Sequence, residues 1–176
     1  MIRTLAALLL LATPILAQES ASAGSAEARE ADGLEMPEAA VAPEDPVAAW
    51  EADHTAILPA EGIDLGAFEY VARPLVIFAD SPRQPQLLEQ VRLLEEALRD
   101  LALRDVVVIV DTDPEARSAV RRELRPRGFG VVLLDKDGRV ALRQPAPTSV
   151  REIARAIDRT PIRQEELREA RGAGTP

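Results

Sequence analysis

The chain has 176 residues and a formal net charge of −9, with no cysteine and only 3% aromatic residues. A net negative charge argues against nucleic-acid binding, because such a surface needs clustered lysine and arginine to displace counterions from the phosphates. The lack of cysteine excludes thiol chemistry and disulfides. The core must therefore be built mainly from leucine, valine, isoleucine and alanine.

The N-terminus has the layout of a secretory signal over residues 1–17. Arg3 precedes an apolar run over residues 5–12, and Pro14 interrupts the pattern before the small residue Ala17. The run is too short to span a bilayer, so the pattern favours a cleaved signal peptide over an uncleaved N-terminal anchor. We expect a periplasmic or secreted protein with no integral membrane segment after cleavage near Ala17.

Residues 18–49 carry eight acidic residues against the single Arg29 and consist largely of Ala, Glu, Ser, Gly and Pro. With so few large apolar side chains to bury, the segment cannot offset its ordering entropy, and we predict a disordered acidic linker. The alternative is an arm that binds a partner. Larger apolar residues return over residues 50–72, which we expect to form an irregular lead-in packed on the domain.

The folded domain is predicted over residues 73–162. Residues 75–79 form a continuous apolar run, which is typical of a strand buried on both faces. Gln84 and Pro85, or the Ser-Pro pair before them, then supply a cap and a first-turn proline for a helix. The apolar residues of this helix recur at spacings of three and four: Leu87, Val91, Leu94, Leu98 and Leu101.

A second strand and helix follow. Residues 106–110 are all valine or isoleucine and predict a central strand. Asp113 is the predicted N-cap of the next helix, Pro114 takes its first position, and Pro126 ends it. Four arginines lie near the end of this helix: Arg121, Arg122, Arg125 and Arg127. They are expected to stabilise its C-terminal dipole, and docking of the acidic N-terminal segment or of an anionic envelope component is the alternative.

A hairpin and a helix complete the domain. The DKDG sequence at residues 135–138 predicts a turn between a strand at residues 131–134 and a shorter strand after it. Ser149 and Glu152 form an S-x-x-E capping box for the last helix. Residues 163–176 are expected to be a flexible charged tail. The predicted order is β-α-β-α-β-β-α, with helices on both faces of a mixed sheet.

This order resembles the thioredoxin-like superfamily, and residues 73–166 resemble the DUF4174 family, a cysteine-free thioredoxin-like group of bacterial envelope proteins. The segments that carry the resemblance are RPLVIFADSP at 73–82, VVVIVDTDP at 106–114, VVLLDKDGRVALR at 131–143 and TPIRQEE at 160–166. The resemblance implies an α/β fold, a thioredoxin-like three-layer sandwich with a mixed sheet. It implies no established activity.

In redox members of the superfamily, the turn after the first core strand carries the reactive cysteines. The matching residues here are Pro82, Arg83, Gln84 and Pro85, and Gly130 stands where those enzymes have a cis-proline. Dithiol exchange is therefore impossible. Because the turn is present but lacks the reactive cysteines, the sequence favours a non-catalytic binding module that contacts an envelope protein. The candidate contact residues are Asp80, Ser81, Arg83, Gln84 and Phe129.

An acidic cluster suggests an alternative function. Asp80 and Asp111 end adjacent predicted strands, and Asp113 follows two residues later. Ligands of open α/β sheets bind at this edge, and carboxylates suit a divalent cation, so a metal-assisted hydrolase is conceivable. The simpler interpretation is that Asp80 starts a turn and Asp113 caps a helix, in which case no cofactor is needed.

Overall fold

A computed structural model describes residues 42–173 of the chain. The predicted signal peptide and most of the predicted acidic linker lie outside the described residues. The elements are α1 (Pro46–Ala52), β1 (Ile57–Pro59), the 3₁₀ helix η1 (Leu65–Phe68), β2 (Arg73–Phe78), α2 (Pro85–Glu95), α3 (Leu98–Ala102), β3 (Val106–Asp111), α4 (Ala119–Leu124), β4 (Gly130–Leu134), β5 (Val140–Gln144), α5 (Val150–Ile157) and α6 (Pro161–Ala173). None of the helices in this part of the chain combines the length and hydrophobicity that a membrane crossing requires.

The five strands form one mixed sheet in the order β1-β3-β2-β4-β5. Strands β1 and β2 run parallel to β3, whereas β4 is antiparallel to both β2 and β5. Helices α2, α3 and α5 pack on one face, and α1, η1 and α4 pack on the other. The predicted α/β three-layer sandwich with a mixed sheet is confirmed.

The two central parallel strands are buried along their whole length. Side chains of a strand alternate between its faces, so Leu75 and Ile77 pack with α2 and α5, while Val76 and Phe78 pack with η1 and α4. This double burial explains the continuous apolar runs in the sequence. It also brings the carboxyl ends of β2 and β3 to one edge of the sheet, because Phe78 is paired with Asp111.

The lead-in is more regular than predicted. Strand β1 extends the sheet beside β3, and α1 begins inside the segment that was expected to be disordered. Asp45 caps α1 by accepting the amides of Val47 and Ala48, each at 3.0 Å. Trp50 anchors α1, because its Nε1 donates to the Val106 carbonyl at 3.2 Å. A three-residue strand has too few positions for a periodic signal, which is why its pairing could not be foreseen.

The observed helices differ from the predicted ones at their ends. The helix predicted after β2 is divided into α2 and α3, because Ala97 has φ −148° and interrupts the helical backbone. Asp113 does not cap a helix: it accepts the amide of Glu115 at 2.9 Å in a turn, and Ser118 caps α4. The predicted tail is helical through Ala173, because a proline suits the first position of a helix as well as the end of one.

Candidate functional site

The candidate site is the turn between β2 and α2. Asp80, Ser81 and Arg83 are exposed, and Gln84 is half-buried. The Gln84 Oε1 accepts the amide of Asp80 at 2.7 Å, and the Gln84 amide donates to the Ser81 carbonyl at 3.2 Å. Helix α2 then begins at Pro85. The backbone of the turn is therefore fixed by its own polar groups, while the Ser81 and Arg83 side chains stay accessible to solvent.

The loop before β4 lies beside this turn. Gly128 has φ +70°, and a Cβ built there would lie 3.9 Å from Oδ2 of Asp80. The next residue, Phe129, is only 7% exposed and packs in the layer that contains α2 and α5. This burial gives no support to the prediction that Phe129 contacts a partner. The apolar ring stabilises the core, and burial leaves it unable to contribute an exposed anchor.

Arg121 of α4 contacts the ends of β2 and β3 next to the turn. Its Nη2 lies 2.7 Å from Oδ1 of Asp111 and donates to the Ala79 carbonyl at 3.0 Å. The other oxygen of Asp111 accepts the Ser118 hydroxyl at 2.6 Å. The guanidinium also sits 5.3 Å from the ring centroid of Phe78, within the range of a cation–π contact. Asp111 is thereby paired and hydrogen-bonded, as a buried carboxylate must be.

The carboxylates considered as cation ligands have separate roles. Asp111 is paired with Arg121, Asp113 accepts backbone amides, and Asp80 lies on the exposed turn. Between residues 42 and 173, no group of three or more His, Cys, Asp or Glu side chains is placed to hold a metal ion. A guanidinium in contact with Asp111 would also repel a cation. The described geometry therefore gives the hydrolase alternative no support.

The remaining arginines of the predicted basic cluster surround the end of α4. Arg122 donates to the Arg117 carbonyl at 2.5 Å. Arg125 is the C-cap of α4, in the left-handed conformation, and Arg127 is exposed. This placement agrees with the helix-end interpretation. Arg121 differs from the other three because it is committed to Asp111.

A second charged cluster, at the other end of β2, was missed by sequence reasoning. Arg73 is fully buried, with Nε 2.8 Å from Oδ1 of Asp135 and Nη2 2.9 Å from Oε1 of Glu166. Lys136 bridges Asp105 at 2.8 Å and the same Glu166 oxygen at 3.1 Å. The five residues join β2, the hairpin, the loop before β3 and α6. We call them the Arg73 cluster.

The pKa of Glu166, an acid of this cluster, is strongly lowered. Burial would raise its pKa, but hydrogen bonds from Arg163, Arg73 and Lys136 together outweigh burial and lower the pKa from 4.5 to about 2. Glu166 is therefore ionised at neutral pH and anchors α6, a helix in which no residue is fully buried. The signal in the sequence was an arginine at the start of an apolar strand, because a buried arginine requires acidic partners.

The profile of a family described as "Domain of unknown function (DUF4174)" matches residues 64–166. The chain belongs to the DUF4174 family. The DUF4174 region contains the turn and the whole Arg73 cluster, and it ends at Glu166, the residue that holds α6. Helix α1 and strand β1 precede it.

Among solved structures, the chain is similar to the thioredoxin peroxidase I of Plasmodium yoelii. The two share 17% sequence identity with a TM-score of 0.44, over 65% of this chain and 83% of that one. No curated protein matches the sequence.

Proposed function

We propose that this DUF4174 protein is an exported, non-catalytic thioredoxin-like module that binds a protein partner of the cell envelope. Contact is made through Asp80, Ser81, Arg83 and Gln84, which we call the turn surface. The observation that carries the proposal is the exposure of Ser81 and Arg83 on a turn whose backbone is already fixed. Export is supported by the signal-like pattern of residues 1–17.

The surroundings of the turn favour binding over chemistry. A serine nucleophile needs a general base within hydrogen-bonding reach. The only histidine of the chain, His54, stacks on Trp50 with ring centroids 4.3 Å apart, and Trp50 is bonded to Val106 at the start of β3. Asp111, the buried acid nearest in the fold, is already paired with Arg121. Ser81 is therefore better suited to accept or donate a hydrogen bond to a partner than to attack a substrate.

The turn also has properties that favour association. A surface that is ordered before binding loses less conformational entropy when the partner arrives. Arginine is enriched among the residues that dominate binding energies at interfaces, and Arg83 lies between Asp80 and the first turn of α2. An acidic group of the partner would meet Arg83, and a donor would meet Asp80.

Site-specific photo-crosslinking tests the proposal. A photoreactive residue placed at Arg83 is expected to capture a discrete partner in the native envelope, identified by mass spectrometry. The control carries the same group at Glu169, an exposed position on α6. Capture at both positions, or at neither, would contradict the assignment of the turn surface.

A pair of variants makes the test specific. Asp80→Asn and Arg83→Ala should each reduce the yield of that crosslink from a reporter at Gln86, which is exposed on the first turn of α2. Glu95→Gln, at the far end of the same helix, should not. An unchanged yield in all three variants would show that the partner does not recognise the side chains of the turn.

A further inference from the structure

A small groove of about 160 Å³ lies at the hairpin end of the molecule. Its floor is apolar and consists of Leu65 and Phe68 of η1 and Leu134 of β4, all three of them buried. Five charged residues also line it: Glu69, Glu123, Asp135, Asp137 and Arg139. We call this the hairpin groove. Small-molecule sites usually enclose about 300 to 1,000 Å³, so this one suits a single side chain.

The charge of the groove is unbalanced. Asp135 is neutralised by Arg73, at 2.8 Å. Asp137 accepts the backbone amide of Arg139 at 3.1 Å and pairs with its guanidinium at 3.5 Å. The Arg139 side chain is 88% exposed, so this ion pair contributes little. Between residues 42 and 173, no hydrogen bond or ion pair engages the carboxylates of Glu69 and Glu123. The groove therefore presents negative charge around an apolar floor.

A backbone hydrogen bond joins the two walls of the groove. The Tyr70 amide donates to the Lys136 carbonyl at 2.8 Å, which ties the segment after η1 to the hairpin. Gly138 has φ +75°, and a Cβ there would lie only 3.2 Å from Oε1 of Glu69. Glycine at this position therefore lets the Glu69 carboxylate lie against the hairpin. A groove held in place by such contacts loses little conformational entropy when it binds a partner.

We propose that the hairpin groove binds an arginine side chain of a partner polypeptide. The alkyl stem of arginine covers apolar surface while its charged head stays at the rim. A guanidinium pairs with carboxylates through two parallel hydrogen bonds and is weakly hydrated. Charge complementarity selects this occupant, since an acidic or neutral side chain would leave Glu69 and Glu123 without a counter-charge. The groove lies at the opposite end of β2 from the turn surface, so the two proposals stand or fall separately.

An NMR titration of the full chain tests this assignment. The probe is a blocked Ala-Arg-Ala tripeptide, compared with the same peptide carrying citrulline, a neutral isostere of arginine. The arginine peptide is expected to shift the amides of Phe68, Glu69 and Gly138 saturably, and less so at high salt. The citrulline peptide should leave them unchanged. Equal responses to both peptides, or arginine-dependent shifts confined to other parts of the chain, would overturn the proposal.

Matched variants locate the binding. Glu69→Gln and Glu123→Gln should each weaken binding of the arginine peptide about fivefold, the effect of one partly exposed ion pair. Glu95→Gln on α2 is the control and should bind normally, because Glu95 is exposed and distant from the groove. Equal affinity in all four proteins would overturn the proposal.

Two further outcomes would assign the groove to a different occupant. If agmatine, a free guanidinium compound, binds as tightly as the peptide, the groove is a site for small cations. Sedimentation of the protein alone would reveal a second copy as occupant if a dimer forms at low salt and dissociates in Glu69→Gln. Either result would overturn the assignment to a partner polypeptide.

Discussion

The two ends of β2 carry charged residues in opposite settings. At the start of the strand, Arg73 is fully buried and its guanidinium is bound by Asp135 and Glu166. Beyond its other end, Asp80 and Arg83 are exposed on a turn. Buried charges need partners within the protein, whereas exposed charges are free to meet partners outside it. The larger, buried charged cluster is therefore structural, and the smaller, exposed set is the better candidate for recognition.

The largest expected effect tests the buried end. Arg73→Met leaves Asp135 and Glu166 without their shared cation, and removing one partner of a buried ion pair typically costs about 3 to 5 kcal/mol of stability. Urea unfolding followed by fluorescence of Trp50, the single tryptophan, measures the loss. Arg92→Met is the control, because Arg92 forms its ion pairs on the exposed face of α2, and it should change stability little. If the two variants unfold alike, the Arg73 cluster is not a structural anchor.

The second prediction concerns the pH dependence of the same cluster. The pKa of Glu166 is lowered from 4.5 to about 2, so its contribution is complete above about pH 4.5 and is lost as the pH falls toward 2. Glu166→Gln should therefore destabilise the protein at pH 7, by about 2 kcal/mol because solvent screens a partly exposed carboxylate. The difference in free energy of unfolding between variant and wild type should become smaller as the pH is lowered from 5 to 3. Glu169→Gln, the control, should be as stable as the wild type at each pH. If the stability difference of Glu166→Gln does not change with pH, the effect is not ionic in origin.

The third prediction concerns the ion pair of Asp111 and Arg121, at the carboxyl ends of β2 and β3. Asp111→Asn keeps the shape of the side chain but removes the charge that holds Arg121, which should cost about 2 kcal/mol. Asp113→Asn should cost less, because Asp113 only accepts amides in an exposed turn. Mg²⁺ should not change the melting temperature of either variant or of the wild type. A Mg²⁺-dependent rise that Asp111→Asn abolishes would restore the cation-site hypothesis.

The smallest effect on stability is expected at the exposed end. Arg83→Ala should change the free energy of unfolding by no more than about 0.5 kcal/mol, as is usual for surface positions. The same variant should nevertheless lose partner capture in the crosslinking experiment. A loss of stability comparable to that of Arg73→Met would show that the turn has a structural role and would remove the contrast between the two ends of β2.

Several features followed directly from local sequence. The apolar runs of β2 and β3 are buried as expected, and the DKDG turn joins two antiparallel strands. The capping box at α5 is present in part, with the Ser149 hydroxyl accepting the Glu152 amide at 3.3 Å. Each of these depends on residues close together in the chain. Spacing alone is sufficient to specify them.

The candidate site was predicted less completely. The position of the turn and the exposure of Asp80 and Arg83 agree with the sequence, but Phe129 is buried and Asp111 belongs to Arg121. The local sequence, an aromatic residue after a glycine, is compatible with an exposed loop residue and with a core residue. The ten-residue separation of Asp111 and Arg121 gives no periodic signal, because the intervening chain is irregular.

The order of the main strands and helices, the lack of cysteine and the place of the turn after β2 follow from the sequence alone. The tertiary structure decided which charges are structural. Arg73 and Glu166 are 93 residues apart, and the walls of the hairpin groove come from η1, β2, α4 and the hairpin. Local patterns record the periodicity of a helix or strand. The pairing of distant charges depends on the register of the sheet and on how the helices pack over it, and no local spacing carries that information.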